Sequence, residues 1–250
     1  MKQAGLRSSL MPLLAVAWIA AGCSQSTPSR TPTATPNPSA DAGSGSNRSA
    51  DRAAGASVSF TAEVWADNWF ALYANGKKVG EDSVSITTER SFNAETIDFD
   101  ASYPLTVAWV TKDYTEDDSG LEYVGTERQQ MGDGGFIAQV TDNATGTVIA
   151  ATGPRWKSLV INRAPLNTDC EHTADPKAEC RSESVAEPAG WAAPVFDDAA
   201  WVPAVTFTPE QVGTKDGYDT ISWDPGAELI WSSDLKVDNA ILWRFTAPKP

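Results

Sequence analysis

Histidine and cysteine are scarce in this 250-residue chain, which has one His, three Cys, and 19 basic residues against 33 acidic ones. Catalytic sites built on an imidazole would all have to use His172, which lies in a hydrophilic stretch between two cysteines. The acidic balance argues against nucleic acid as a partner, because phosphate binding needs a basic surface. We therefore expect no nucleic-acid binding and no catalytic residues.

The chain also lacks an apolar run long enough to span a bilayer. The run from Leu10 to Ala21 follows Lys2 and Arg7 and is about 12 residues long, too short to cross a membrane comfortably. A positive start, a short apolar run and small residues after it are typical of a secretory signal peptide. We predict a signal over residues 1–22.

The residues at the end of this signal, "IAAGC", resemble the lipobox of bacterial lipoproteins. In that motif the Cys after the cleavage site is acylated, which here would be Cys23. Ala20 stands where the motif usually has Leu. The resemblance implies a lipid-anchored (palmitoylated) protein of the bacterial cell envelope that faces away from the cytoplasm. The alternative is an ordinary secretory signal with an incidental cysteine.

Residues 23–56 consist mainly of Ser, Thr, Pro, Ala and Gly. Such a composition cannot build a core, so we predict a disordered tether with a reach of roughly 30 Å. The rest, 57–250, is long enough for one large β domain. Without the signal, 17 basic and 33 acidic residues remain, a net charge of −16.

Cys170 and Cys180 flank the polar segment "CEHTADPKAEC". In an exported protein an isolated pair of this kind usually forms a disulfide. Closing a loop of about 11 residues stabilises the fold by roughly 2.5–3 kcal/mol in the chain-entropy description. The alternative is a metal site that uses both thiolates with His172. We expect the disulfide and no metal at these residues.

Alternation of apolar and polar residues with period two dominates 57–250. It predicts about ten short strands in an antiparallel β-sandwich or jelly roll, with one short helix near Pro209–Val212. "NWFALYANG" is apolar on both faces, which is typical of a strand covered on both sides. It leads into Asn75-Gly76, a strong hairpin signal. Trp69 directly follows Asp67-Asn68 at the entrance of this strand.

Two segments, "ADNWFALYANGKKVG" and "GWAAPVFDDAAWVPA", resemble the galactose-binding-domain-like β-sandwich. Modules of this family include carbohydrate-binding jelly rolls, although many serve as spacers. The resemblance implies a non-catalytic module that binds carbohydrate or another extracellular polymer. Acceptors for sugar hydroxyls would come from Asp67, Asn68, Asp197 and Asp198, and a stacking face from Trp69 or Trp201.

The "FDDAAW" loop also has a structural interpretation, in which the aspartates cap a turn and Trp201 fills the core.

The carbohydrate-binding function has two alternatives. One is a structural or protein-interaction lipoprotein of the envelope with no small ligand, and the other, in third place, is a glycoside-processing enzyme. Exposure of an aromatic face beside polar side chains distinguishes the carbohydrate binder from the interaction protein.

Two further polar segments have open interpretations. Arg90 and the run Glu127–Gln130 predict either a polar ligand pocket or a network that ties loops to the sandwich. "DYTEDDSG", from Asp113 to Gly120, contains four acids and could hold Ca²⁺ through oxygen ligands. It lacks the EF-hand spacing, so an exposed hairpin tip is the preferred interpretation. We expect no other cofactor.

Overall fold

The computed structural model describes residues 55–87 and 92–250. The chain divides into two units, Met1–Ser49 and Ala50–Pro250, and all the described residues belong to the second. The signal peptide, Cys23, all of the tether except its last two residues, and Arg90 lie outside the described residues. No helix in the described part of the chain is long and apolar enough to cross a membrane.

The described residues form an all-β fold of antiparallel strands, as predicted. The strands are β1 (Val58–Asp67), β2 (Trp69–Ala74), β3 (Lys77–Glu81), β4 (Phe92–Ala101), β5 (Leu105–Lys112), β6 (Leu121–Glu122), β7 (Gln130–Met131), β8 (Gly135–Asp142), β9 (Thr147–Ala151), β10 (Lys157–Arg163), β11 (Glu183–Ser184), β12 (Val202–Pro203), β13 (Val205–Phe207), β14 (Leu229–Trp231) and β15 (Asp238–Ala247). Ten of them match the runs that alternation predicts. The other five, β6, β7, β11, β12 and β13, contain two or three residues each, too few to show a period.

Two sheets make up the sandwich. The first has the order β13-β14-β8-β1-β4, with β9 also paired to β8. The second has the order β11-β10-β15-β5-β2-β3, with β12 also paired to β10. The hairpin of β6 and β7 forms a separate two-stranded ribbon. Since β1 passes directly into β2, the chain crosses between the sheets at residues 67–69.

The main core lies between the two sheets and is rich in large aromatic side chains. Trp109, Trp231 and Trp243 are fully buried in it, together with Phe70 and Phe136. Trp109 packs edge-on against both phenylalanines, at 5.7 and 5.4 Å between ring centroids. This core fixes which faces of β5 and β15 point inward: Trp109 on β5 and Trp243 on β15 are cross-strand partners.

The hairpin predicted at Asn75-Gly76 is confirmed. Both residues have positive φ, 50° and 86°, as a turn between twisted strands requires. The Asn75 side chain fixes the turn further, since it donates to the Ser102 carbonyl and accepts from the Thr106 N–H, both at 2.8 Å. β2 is covered on both faces, with Phe70 in the main core and Ala71 in a second apolar cluster.

Short helices occur in the loops. The predicted helix is α2 (Pro209–Val212), which begins with a capping box of Thr208 and Gln211. A 3-10 turn (Thr168–His172) and α1 (Pro176–Glu179) lie in the region of the cysteines, and a second 3-10 turn covers Tyr218–Thr220. The predicted disulfide between Cys170 and Cys180 is confirmed. The two sulfurs are bonded to each other, so a thiolate metal site with His172 does not form.

Candidate functional site

Four acidic side chains gather at the end of the sandwich where the chain crosses between the sheets. Asp67 ends β1, Asp113 follows β5, Glu122 lies in β6, and Asp133 precedes β8. We call these four residues the carboxylate cluster. Asp67, Asp113 and Glu122 are buried, with exposed fractions of 1%, 4% and 5%. Burial of three carboxyl groups in one place is unusual, since a charge leaves water only at a large free-energy cost.

The crossover residues bring Asp67 next to the end of β5. The Asn68 N–H donates to the Lys112 carbonyl at 3.0 Å, and the Asn68 amide oxygen accepts from the Tyr114 N–H. The Asn68 amide group also donates to Asp67 Oδ1 at 2.5 Å. The peptide bond between Asp67 and Asn68 is cis. Asn68 therefore links Asp67 directly to the backbone on either side of Asp113.

Strand alternation directs Asp113 and Asn239 toward the interior. Asp113 continues the inward row of Trp109 and Thr111 on β5, and Asn239 continues the row of Trp243 and Ile241 on β15. The Asp113 N–H donates to the Asn239 carbonyl at 2.9 Å, so the two residues are neighbours across the strands. A Cβ atom at Gly132 would lie 1.9 Å from Asp113 Oδ2. Only glycine lets the backbone approach the carboxyl group this closely.

The surroundings of the carboxylate cluster raise the pKa values of its members. Burial raises the pKa of Asp67 well above its usual range, and the charge of Asp133 raises it further. Burial also raises the pKa of Asp113 strongly, with added repulsion from Asp67 and Glu122. The nearby Tyr114 N–H, which donates to Asn68, lowers this pKa by less. For Glu122, burial raises the pKa against the lowering effect of its hydrogen bond from Gln130. Burial and like charge both favour the neutral carboxyl form.

Lys215 supplies part of the opposite charge. Its Nζ lies 3.5 Å from Asp133 Oδ2, and both side chains are partly exposed. Burial lowers the pKa of Lys215, but the charges of Asp133, Asp67 and Glu122 outweigh this and raise the pKa above its usual value. Burial raises the pKa of Asp133 more than Lys215 lowers it. One lysine at the rim does not neutralise two carboxyl groups in the interior.

Unpaired polar atoms are concentrated at this cluster. Among the described residues, five buried side-chain N or O atoms have no hydrogen-bond partner. Four of them are Asp67 Oδ2, both carboxyl oxygens of Asp113 and Asn239 Oδ1, and the fifth is Trp109 Nε1. Buried polar groups in folded proteins are nearly always paired, so an unpaired group calls for a specific explanation.

A cleft of about 290 Å³ opens beside the same strand ends. Its walls include Lys112, Asp113, Asp118, Asn162, Glu187 and Asn239. The Lys112 ammonium group lies 5.2 Å from the centre of the Trp69 ring, in a cation–π arrangement. Trp69 is partly exposed, whereas Trp201 is only 7% exposed. The cleft thus combines carboxylates, amides and a cation beside one partly open aromatic ring.

The second group of predicted ligand residues lies on the outer face of the second sheet, where Trp201 belongs to an apolar cluster against which Trp69 also packs. The segment 187–204, which we call the tryptophan cover, packs Trp191 and Trp201 over this face, with ring centroids 6.3 Å apart. Arg244, 2% exposed, donates to Asp198 at 2.8 Å and also to the carbonyls of Trp191 and Ala193. Every polar contact of this arginine holds the cover to β15.

The six predicted ligand residues therefore do not form one surface. Asp67 and Asn68 are buried with the carboxylate cluster, and Trp201 is buried under the cover. Asp197 accepts from the Ala199 N–H at 3.0 Å, the turn-capping geometry of the structural interpretation. Trp69 is partly exposed, packs against the same apolar cluster as Trp201, and has the ammonium group of the cleft residue Lys112 over its ring. Ligand binding by these residues stays a prediction, and their contacts give five of them a structural role.

The polar run Glu127–Gln130 makes contacts that tie loops together. The Gln129 amide donates to the carbonyls of Glu171 and Thr173 at 2.7 and 3.0 Å, and Arg128 lies over the Tyr123 ring at 3.8 Å. These contacts agree with the network interpretation. In the acidic loop, Asp117 accepts from the Ser119 N–H at 2.8 Å, and Asp118 is exposed. The hairpin-tip interpretation fits these two aspartates but not the buried Asp113.

Sequence reasoning missed Asp113 and Asn239 as a pair. The signal was present, because the inward row of β5 continues from Trp109 through Thr111 to Asp113, and that of β15 continues from Ile241 to Asn239. An acid or amide at that step is directed into the core rather than into solvent. The contributions of Glu122 and Asp133 depend on the β6–β7 ribbon, and two-residue strands leave no periodic signal.

Comparison with protein-family models, with curated proteins and with solved structures found no match to this chain. Among residues 55–87 and 92–250, no group of three or more His, Cys, Asp or Glu side chains is arranged to hold a metal ion. The fold and the site therefore carry the functional argument by themselves.

Proposed function

We propose that this protein is a non-catalytic, lipid-anchored module of the bacterial cell envelope that binds carbohydrate or a similar polyhydroxylated polymer at the cleft beside Trp69. The observation that carries the proposal is the partly exposed Trp69 ring, whose cation–π partner Lys112 lines a cleft of carboxylates and amides. Aromatic faces stack on the apolar faces of sugar rings, and carboxylate and amide oxygens accept bonds from hydroxyl groups. The resemblance to carbohydrate-binding jelly rolls supports the same ligand class.

The cleft is better suited to a neutral polyol than to a charged polymer. Asp118 and Glu187 bring negative charge, Lys112 brings one positive charge, and Asn162 offers both a donor and an acceptor. An anionic polymer would be repelled by the acidic walls and by the overall net charge of −14. Neutral hydroxyl groups can form hydrogen bonds with every one of these side chains, because a hydroxyl group both donates and accepts.

Binding to a panel of neutral and acidic polysaccharides tests the proposal. Trp69→Ala should weaken retention of the bound glycan by about tenfold, the equivalent of roughly 1.4 kcal/mol of stacking and burial. Trp223→Ala is the matched control, because Trp223 is also partly exposed but packs in a different apolar cluster near Tyr218. A wild-type domain that binds no glycan, or equal losses in the two variants, would refute the proposal.

The anchor is a separate part of the proposal and has its own test. If Cys23 carries the lipid, Cys23→Ala should release the protein from the membrane fraction into the surrounding fluid. The control is Cys170→Ser, which leaves the anchor intact. A Cys23→Ala protein that stays as membrane-bound as the wild type would remove the lipoprotein interpretation.

A second candidate function, binding of another envelope protein, is favoured by one apolar groove. Val185 and Val202 are 52% and 58% exposed, and both line a groove of about 230 Å³ along β10. Exposed apolar side chains that share a groove are typical of contact surfaces for an extended peptide. Failure of all glycan binding, together with a partner captured by the wild type and lost in Val202→Asp, would favour this candidate.

A further inference from the structure

Three side chains in the interior present oxygen atoms that no hydrogen-bond donor satisfies. They are Asp67, Asp113 and Asn239, which are 1%, 4% and 3% exposed and together leave four oxygens unpaired. Asn239 differs from the two aspartates because its amide oxygen is neutral and cannot gain a proton of its own. Protonation of the neighbouring Asp113 is one way to give this oxygen a donor, and a bound cation is another.

The three residues are brought together by backbone geometry. Asp113 and Asn239 are cross-strand neighbours joined by a backbone hydrogen bond of 2.9 Å. Asp67 is held against the same strand end by Asn68, whose side chain bonds to Asp67 and to the Tyr114 N–H. Gly132 closes the opposite side, where any side chain would collide with the Asp113 carboxyl group.

The local charge also lacks compensation. Lys215 is engaged with Asp133 at the rim, and the Arg163 guanidinium group near this end lies 2.8 Å from Asp238. When ionised, the two interior carboxyl groups carry a charge of −2, which one divalent cation would balance and so hold them in the charged form. Such a cation would also satisfy the amide oxygen, since a metal ion accepts electron pairs from charged and neutral oxygens alike.

We propose that Asp67, Asp113 and Asn239 form a binding site for a divalent cation, with Ca²⁺ as the preferred ion. All the available ligand atoms are oxygens, which suit Ca²⁺, Mg²⁺ and Mn²⁺ rather than zinc or copper. Ca²⁺ accepts six to eight oxygens in a flexible arrangement, whereas Mg²⁺ retains waters and demands a strict octahedron.

The site differs from the one suggested by the acidic loop in the sequence. There the candidate ligands were the four acids between Asp113 and Gly120, but Asp118 is exposed and Asp117 is engaged in a turn. Only Asp113 of that loop points inward. The proposed site is also independent of glycan binding, since a cation buried at the crossover would stiffen the sandwich whether or not the cleft has a ligand.

Thermal unfolding of the signal-free protein tests the proposal. After treatment with EDTA and dialysis at pH 7.5, 1 mM CaCl₂ should raise the melting temperature of the wild type by about 5 °C or more, as expected for a site filled about 100-fold above its Kd in a domain of this size. MgCl₂ at the same concentration should give a smaller rise. Equilibrium dialysis with metal analysis should find close to one Ca²⁺ per chain.

Two charge-matched variants locate the ion. Asp113→Asn removes one proposed ligand charge without changing shape, and it should abolish the rise with CaCl₂. Asp118→Asn removes an exposed acid of the same loop and should keep the rise in full. Dialysis of the wild type remains decisive even if Asp113→Asn does not fold. No bound Ca²⁺ on folded wild type, or a rise that survives Asp113→Asn, would overturn the proposal.

Discussion

The tryptophan cover and the carboxylate cluster both contain aspartates, but the aspartates of the two regions make different contacts. In the cover, Asp198 meets Arg244, and that arginine also donates to the carbonyls of Trp191 and Ala193. In the cluster, Asp113 has no arginine and both its carboxyl oxygens are unpaired. The cover packs on the outer face of the second sheet, and the cluster lies at the end of the sandwich between the two sheets. A saturated polar network stabilises a fold, whereas an unsaturated one costs free energy unless a ligand completes it.

This difference indicates where function resides. Residues that resembled a ligand site, the "FDDAAW" loop, complete the packing of the outer face of the sheet. The unpaired atoms lie instead at the crossover, which also borders the open cleft at Lys112 and Asn239. Proteins tolerate unsatisfied buried groups chiefly where those groups bind or react.

The largest effect should come from removing Trp201 from the cover. Trp201→Ala deletes a ring that packs against Trp191 and Phe196, so we expect the free energy of unfolding to fall by about 3–5 kcal/mol. Urea denaturation measures the change. Val202→Ala, at an exposed neighbouring position, is the control and should change the free energy by less than about 0.5 kcal/mol. A stable Trp201→Ala that loses glycan binding would instead restore Trp201 as a ligand residue.

The next effect concerns the disulfide. Replacement of Cys170 and Cys180 by serine should lower the free energy of unfolding by roughly 2.5–3 kcal/mol, because the unfolded chain regains the entropy of an open loop. The sandwich should stay folded, since the loop is local and the core is large. Reduction of the wild type with dithiothreitol is the matched control. If neither treatment moves the denaturation midpoint, the loop is held by its other contacts.

The smallest of the three effects is the pH dependence of the cation-free protein. The folded-state pKa values of Asp67 and Asp113 are raised by burial, so between the ordinary Asp value and these higher values the folded state binds more protons than the unfolded state. Stability from this source is therefore present at low pH and is lost as pH rises through the folded pKa values. Glu122 and Asp133 act in the same direction. Lys215, whose pKa is raised from 10.5, stays protonated in both states over this range and does not change the slope.

Melting temperatures measured in EDTA from pH 5 to pH 8 test this sign. The wild type should lose stability toward pH 8, and Asp113→Asn should lose less, because it lacks one of the titrating groups. The repulsion of the whole acidic chain is common to both proteins and cancels in the comparison. Parallel slopes for the two proteins would mean that Asp113 does not titrate in this range.

Alternation and turn residues were enough to predict the sandwich. The period-two rows place Trp109 and Trp243 in the core, and Asn75-Gly76 defines a hairpin because its residues tolerate positive φ. The helix at Pro209–Val212 and the disulfide were equally accessible, since each depends on local residues. These features are encoded within a few residues of the chain.

The candidate site could not be predicted in the same way. Alternation along β5 and β15 indicates that Asp113 and Asn239 point inward, but their meeting with Asp67 depends on three distant strands that end together. The role of Arg244 was hidden for the same reason, because its partners lie about 50 residues earlier in the tryptophan cover. Both regions look alike in sequence, as aspartates next to tryptophans, and only tertiary contacts separate them.

The central claim is that the buried Arg244 under the tryptophan cover has its hydrogen-bond partners, whereas the interior aspartates of the carboxylate cluster lack theirs. One aspartate-to-asparagine change in each region tests it, by urea denaturation at pH 8 in EDTA. Asp198→Asn weakens a charge-assisted bond to Arg244 at a partly exposed position and should lower the free energy of unfolding by about 1 kcal/mol. Asp113→Asn removes an unpaired buried charge and should leave that free energy unchanged or raise it. Equal losses in both variants would contradict the account.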